Sequence, residues 1–171
     1  GPQGPASGLA LSNYTATAYL NGNLGLTANT SVVLAPLTAI NDPQGWVSSS
    51  GITPTISGYY QIDYQGVFSN VATNTQIQLN LWLDITTQAS YLVAPTNPTA
   101  FQSLGTSKIV YVNAGQRINL VAFSGVNNTL GGNPQSTWLS VMLLTNAGPT
   151  GLTGATGQVG PAATGASGAT G

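Results

Sequence analysis

Only five of the 171 side chains are charged at neutral pH, which limits the chemistry open to this chain. They are Asp42, Asp63, Asp84, Lys108 and Arg117, and the sequence contains no Glu, His or Cys. A serine-hydrolase triad, a thiol nucleophile or a thiolate metal site cannot be assembled without those missing residue types. The net charge of −1 gives no electrostatic attraction towards nucleic acid or anionic lipid. We therefore expect a protein that is not an enzyme, with no cofactor, no nucleic-acid partner and no membrane partner.

The three aspartates are the groups that could still act together. A carboxylate pair can hydrolyse a glycosidic bond, and several oxygen ligands can hold calcium. Asp42, however, precedes Pro43 in a turn pattern, and Asp63 and Asp84 fall on the polar faces of predicted strands. Structural roles without a metal site are the favoured interpretation, and a calcium site or a carboxylate enzyme is the minority one.

Three further side chains are candidates for specific contacts. Lys108 could form an isopeptide cross-link beside a buried carboxylate, but a lysine that discourages strand addition at a sheet edge is the favoured interpretation. Arg117 follows a Gly-Gln turn and could contact a neighbouring chain. Trp82 lies on the polar face of a predicted outer strand, and it is the best candidate for contact with a ligand. Cover of Trp82 by a neighbouring loop is nevertheless the favoured interpretation.

The elements that would position these residues are β-strands. Between Tyr14 and Asn146, short runs of β-branched and aromatic residues alternate with Gly, Pro and Asn, and no window has a sustained helical period. The pattern predicts an all-β domain at residues 9–146. Its ten expected strands are Thr15–Leu20, Thr30–Leu34, Gly45–Ser48, Gly51–Thr55, Gly58–Ser69, Gln76–Ile85, Tyr91–Val93, Ser107–Val112, Arg117–Ser124 and Thr137–Thr145. We expect loops at Ala94–Ala100 and Asn127–Gln135.

The two faces of individual strands differ in polarity. Residues 76–85 alternate apolar side chains, Ile85 included, with mostly polar ones, which predicts an outer sheet with one face in water. The last strand has two apolar faces, formed by Leu139, Val141 and Leu143 on one side and by Trp138, Met142 and Leu144 on the other. Its second face needs a cover from outside the domain. We expect other copies of the same chain, in a trimer, to supply this cover. The expected trimer interface contains Trp138, Met142, Leu144 and Tyr59.

Glycine recurs at every third position at both ends of the chain. The repeats contain Gly1 and Gly4 at one end, and Gly148, Gly151, Gly154, Gly157 and Gly160 at the other. A collagen triple helix requires this spacing because only glycine fits at its axis. The pattern predicts the end of an N-terminal collagen-like stalk at residues 1–8 and a C-terminal collagen-like segment at residues 147–171, interrupted at 160–165. A flexible linker is the alternative for residues 1–6.

Four segments resemble the globular heads of the C1q family, in the same order along the chain. They are Ala18-Tyr-Leu, Gly58-Tyr-Tyr-Gln-Ile-Asp-Tyr, Val112-Asn-Ala-Gly-Gln-Arg-Ile-Asn-Leu and Thr137-Trp-Leu-Ser-Val-Met-Leu-Leu. The resemblance covers about residues 14–146. It implies a ten-stranded jelly-roll sandwich of the C1q and tumour-necrosis-factor type, assembled as a homotrimer, with both chain ends on the stalk side.

Within this group, the scarcity of charge and the Gly-x-Thr triplets are most similar to bacterial collagen-like surface proteins, above all the BclA-type filaments of the Bacillus exosporium. The resemblance implies a trimerisation head that nucleates and registers the triple helix of an extracellular fibre. It also implies O-glycosylation at Thr150, Thr153 and Thr156, and a surface-anchoring protein or glycans as partners. The alternative is an adhesin, or a phage tail-fibre module on a virion, that recognises glycans or a host surface.

Overall fold

The computed structural model describes residues 13–145, which form thirteen strands in two antiparallel sheets. The strands are β1 (Thr15–Leu20), β2 (Leu24–Leu26), β3 (Thr30–Val33), β4 (Leu37–Asn41), β5 (Val47–Ser48), β6 (Gly51–Ile52), β7 (Gly58–Val71), β8 (Ile77–Leu83), β9 (Thr86–Val93), β10 (Thr99–Val112), β11 (Ile118–Ser124), β12 (Asn128–Leu130) and β13 (Trp138–Thr145). Within residues 13–145, no helix is long and apolar enough to cross a membrane.

The first sheet has seven strands, in the order β2-β12-β7-β13-β1-β4, with β10 on the other side of β7. The second sheet has six, in the order β5-β6-β11-β8-β9, with β3 paired to β11. The long strand β7 organises the first sheet, because β10 pairs with it from Gly58 to Val71 while β13 pairs with its other edge. The predicted all-β sandwich is confirmed.

The core lies between the two sheets and is built from alternate residues of the long strands. On β7 and β13, every second side chain is buried, as the period-two pattern predicts. The largest contributors are Tyr60, Tyr64 and Phe68 of β7, which face apolar residues of β8 and β11. Each fully buried apolar side chain contributes about 1.5–3 kcal/mol to folding.

The observed strands differ from the predicted ones in three respects. Strands β2, β4 and β12 are additional, and β12 lies within the segment 127–135 that was expected to be a loop. Strands β9 and β10 begin several residues earlier than predicted. The prediction for Ile85 is wrong, because β8 ends at Leu83 and Ile85, 85% exposed, lies in the turn before β9.

Both ends of the described chain lie at the same end of the first sheet. Thr15 is paired with Met142, and the Leu143 N–H donates a hydrogen bond of 3.0 Å to the Tyr14 carbonyl. The first and last strands of the described chain therefore have their outer ends next to each other. The predicted triple-helix glycines, the threonines of the Gly-x-Thr triplets and the domain boundaries at 8 and 146 lie outside the described residues.

Candidate subunit interface

The candidate functional site is the face of the first sheet that points away from the core, here called the outward face. It is formed by alternate residues of four neighbouring strands, whose register brings them side by side. These residues are Thr15, Thr17 and Tyr19 of β1, Trp138, Ser140 and Met142 of β13, Tyr59, Gln61, Asp63 and Gln65 of β7, and Gly105, Ser107, Ile109 and Tyr111 of β10.

Apolar side chains on the outward face are open to solvent at one end of the sheet. Ile109 is 57% exposed, Met142 39% and Tyr59 37%. Ile109 and Met142 flank Gln61 in register, and the ring of Tyr59 packs edge-on against Tyr111 at 5.2 Å. Exposed apolar side chains that lie next to one another mark interaction surfaces in soluble proteins.

The polar groups of the outward face bond mainly to one another. Thr17 Oγ1 and Ser140 Oγ lie 2.9 Å apart, and Gln61 Nε2 donates to both carboxylate oxygens of Asp63 at 3.3 and 3.2 Å. Polar groups that are already paired lose less free energy when a partner covers them. Asp63 is the one residue of this face that is charged at neutral pH, so the face can be buried with little charge desolvation.

A cavity of about 580 Å³ opens on the outward face. Its lining includes Asp63, Gln65, Trp138, Ser140 and, from the second sheet, Tyr91. The half-buried Trp138 ring and the surrounding amide and hydroxyl groups can receive a polar aromatic side chain or a neutral ligand. Tyr91 was not predicted here, because its place in the cavity depends on how the two sheets close.

The residues predicted for the interface fall on the outward face with one exception. Trp138, Met142 and Tyr59 lie on it, and their contact with another subunit stays a prediction. Between Leu143 and Thr145 the register with β7 shifts, so Leu144 has no partner in β7 and the strict alternation ends at Leu143. Sequence reasoning missed Ile109 and Tyr111, because residues 109–112 are apolar on both faces and their place beside β7 follows from the strand register.

Trp82 lies elsewhere, on the face of the second sheet that points away from the core. It is half-buried and lies opposite Asn119 on β11 and Thr87 on β9. The expectation that this face of β8 is wet is wrong for Asn80, which is buried and bonded to Ser90 and to the Val121 carbonyl.

The remaining ionisable residues have local structural roles. The Asp42 carboxylate accepts hydrogen bonds from the N–H groups of Trp46 and Val47, and Asp84 Oδ1 accepts one from the Arg117 N–H. Lys108 is exposed on the edge strand β10. Among residues 13–145, no three acidic, His or Cys side chains are grouped so that they could hold a metal ion.

Comparison with solved structures identifies the architecture. Eiger TNF from S. frugiperda superposes with a TM-score of 0.62 at 11% identity, covering 81% of this chain and 97% of that one. Murine APRIL gives 0.58 at 14% identity (76% and 98% covered), and the globular domain of zebrafish complement 1qA gives 0.55 at 9% identity (78% and 98% covered). The fold is the TNF/C1q jelly roll. No protein-family model and no curated protein sequence matches the chain.

Proposed function

We propose that this domain is the trimerisation head of a collagen-like surface filament. The observation that carries the proposal is the exposed apolar group of Ile109, Met142 and Tyr59 on the outward face of the first sheet. A second copy of the chain is the partner that fits it. The reason is that a triple helix, which the glycine spacing at both ends predicts, requires three copies of the same chain side by side.

The head would act by holding three chains in register. Starting a triple helix requires three chain segments to meet in the correct alignment, which is improbable for separate chains. In a trimer of heads, the segments that follow Thr145 and precede Asn13 are held at high effective concentration. Adjacent strand ends at Thr15 and Met142 bring both flanking segments to one end of the sheet. The head thereby nucleates the helix and sets its register.

The proposed setting is an extracellular fibre on a bacterial spore exosporium or a similar appendage. A chain with 3% charged residues and Gly-x-Thr triplets suits a neutral, densely packed outer layer. In this proposal Thr150, Thr153 and Thr156 carry O-linked sugars, and a surface protein anchors the stalk. Labelling intact spores with an antibody against the head tests the location.

A second candidate function is binding of a host surface or a glycan, as an adhesin or as a phage tail-fibre module. It is favoured by the half-buried Trp82, which lies on the second sheet and therefore away from the face assigned to subunit contact. Both functions are compatible, because they use opposite faces of the sandwich.

The mass of interface variants in solution tests the first proposal. We expect Met142→Arg and Ile109→Arg to shift the full chain from trimer to monomer in light scattering, because each places a charge in an apolar contact. Ile85→Arg, at the exposed turn after β8, is the control and should leave the trimer intact. If Met142→Arg and Ile109→Arg both remain as associated as the control, the outward face is not the interface.

A further inference from the structure

We infer that the outer surface of the second sheet binds a neutral saccharide through Trp82 and Asn119. This surface is on the opposite side of the sandwich from the proposed subunit interface. The inference rests on the second candidate function and gives it specific residues, and it does not require a trimer.

Two buried polar atoms at this place have no hydrogen-bond partner. Asn119 is only 3% exposed, yet its Oδ1 accepts no hydrogen bond, and the buried Trp82 Nε1–H donates none. The two residues lie directly opposite each other on β11 and β8. The Trp82 N–H is therefore an unpaired donor, and Asn119 Oδ1 is an unpaired acceptor on the residue paired with it in the neighbouring strand. Leaving both unpaired destabilises the fold unless another molecule bonds to them.

The other unpaired buried atoms in residues 13–145 do not form such a pair. They are the Tyr64 hydroxyl, in the core between the sheets, and Asn128 Nδ2, on the short strand β12. The strand partners of these two residues carry no unpaired buried atom. The Asn80 amide beside Trp82 is also satisfied, because it bonds to Ser90 and to the Val121 carbonyl. The free hydrogen-bonding capacity of this surface is thus concentrated on Trp82 and Asn119.

A saccharide hydroxyl has the chemistry that fits this pair. A hydroxyl group can accept from the Trp82 N–H and donate to Asn119 Oδ1 at the same time. The indole ring also offers an apolar surface with a polar edge, onto which the C–H face of a sugar ring can pack. Because both polar atoms are covered, entry of the sugar requires the half-buried indole to rotate outward.

The charges around the pair favour a neutral sugar. Strands β3, β8, β9 and β11 contain no Asp, Glu, Lys, Arg or His. Asp84 and Arg117, each two residues along the chain from the pair, have opposite signs, and the Asp84 carboxylate accepts the Arg117 backbone N–H at 3.0 Å. The surface therefore has no excess charge that would select an acidic sugar or a cation.

Titration of the full chain with neutral oligosaccharides, followed by the indole N–H signals in a nitrogen–proton correlation spectrum, tests the inference. We expect a glucose-, galactose-, mannose- or N-acetylglucosamine-based sugar to shift the Trp82 signal. The Trp46 signal is the internal control, because its Nε1 is already bonded to Thr55 Oγ1 at 3.1 Å. A sialylated oligosaccharide should bind more weakly than its neutral counterpart.

Two variants separate binding from structure. Trp82→Phe keeps an aromatic ring but lacks the N–H, and Asn119→Val removes the unpaired acceptor. We expect each to weaken binding at least tenfold, and Asn119→Val to raise the melting temperature as well, because it removes an unsatisfied buried group. Gln78→Leu, four residues along the same face of β8, is the control and should bind like the parent chain.

Three results would overturn the inference: no neutral sugar moves the Trp82 signal, a sialylated sugar binds more tightly, or Asn119→Val binds as the parent does. The first of these, with a melting temperature lowered in Asn119→Val, would identify the pair as the site of a structural water. Light scattering on the same samples keeps the proposals apart. A trimer that binds no sugar contradicts only this inference, and a monomer that binds sugar contradicts only the trimerisation head.

Discussion

Gly105 shows how little space separates β10 from β7 on the outward face. A Cβ atom added at this position would lie 2.6 Å from the Tyr64 carbonyl oxygen and 3.1 Å from Gln65 Cα. Both are backbone atoms of the strand paired with β10, so they cannot move without disturbing the sheet. Gly105 also lines the cavity beside Trp138. This glycine is therefore required for the strand pairing as well as for the shape of the site.

The Gly105→Ala variant should lose about 1–3 kcal/mol of stability, because overpacking against the backbone forces the two strands apart. Gly25→Ala is the matched control: it also lies in a strand, and its added Cβ would have nothing within 4 Å. The control should change stability by about 0.5 kcal/mol or less. Urea unfolding of both variants measures the difference, and equal values would contradict the close approach of the strands.

Ionisation of Tyr60 makes the stability of the fold depend on pH in the alkaline range. Burial raises the pKa of Tyr60 to about 12 from 10.0, and its hydroxyl donates 2.7 Å to the Ile56 carbonyl. Below pH 10 the hydroxyl is neutral in both the folded and unfolded chain. Between about 10 and about 12 only the unfolded chain ionises, so stability falls as the pH rises.

The expected decline for Tyr60 is about 1.4 kcal/mol per pH unit at its steepest, the value for one proton. Tyr60→Phe should remove this part of the decline. Some alkaline dependence should remain, because burial also raises the pKa of Tyr64. Urea unfolding at a series of alkaline pH values measures both chains. Identical pH profiles for the parent and the variant would show that Tyr60 ionises equally well in the folded protein.

At the scale of elements, β13 combines two functions in alternate residues. Its residues Leu139, Val141 and Leu143 are buried in the core, and Trp138, Ser140 and Met142 between them face outward. Core residues stabilise each subunit by themselves, whereas outward residues contribute only when a partner is present. Neighbouring positions of one strand should therefore respond differently to the same substitution.

Leu143→Ala should destabilise the chain by about 2–5 kcal/mol at every protein concentration, since it leaves a cavity in the core. Met142→Ala should leave the subunit fold intact, and its loss of stability relative to the parent should appear only at concentrations at which the parent is a trimer. Denaturation at two widely separated concentrations distinguishes the two effects. An equal loss of stability for Met142→Ala at both concentrations, one of which dissociates the parent trimer, would refute the division of roles on β13.

The sequence predicted those elements whose alternation is strong. Strands β7 and β8 have one face in the core and a more polar opposite face, so most of their apolar residues repeat with period two, whereas β11 and β13 could be recognised as apolar runs with both faces apolar. The short strand β2 has too few residues to show a period. Strand β12 is flanked by Asn and Gly residues, which are typical of loops. Much of β9 and the first part of β10 are exposed on both faces, so polar residues are tolerated there.

The site was predictable only where it depended on one strand. Side chains alternate between the two faces of a strand, which placed Trp138 and Met142 on one face of β13. The same alternation placed Tyr59 and Tyr60 on opposite faces of β7. Which strands lie beside each other depends on register, and this is why Ile109, Tyr91 and the Trp82–Asn119 pair could not be found. The bulge at Leu144 was also invisible, because a bulge changes pairing without a required residue type.

At the scale of the whole molecule, charge repulsion between subunits opposes assembly only weakly. Each chain carries a net charge of −1, so three copies repel one another only weakly. The two sheets present different surfaces: the first has exposed apolar residues between paired polar groups, and the second has a neutral polar surface around Trp82. We therefore propose that the first sheet serves self-association and the second serves ligand contact.

Sedimentation equilibrium of the full chain over a range of micromolar concentrations is the most direct test of the central proposal. The account predicts a single species of about 52 kDa, three chains of 17.3 kDa each, that persists on dilution. A 17.3 kDa species at every concentration would contradict it. In that case the exposed Ile109, Met142 and Tyr59 would have to serve a partner other than the chain itself.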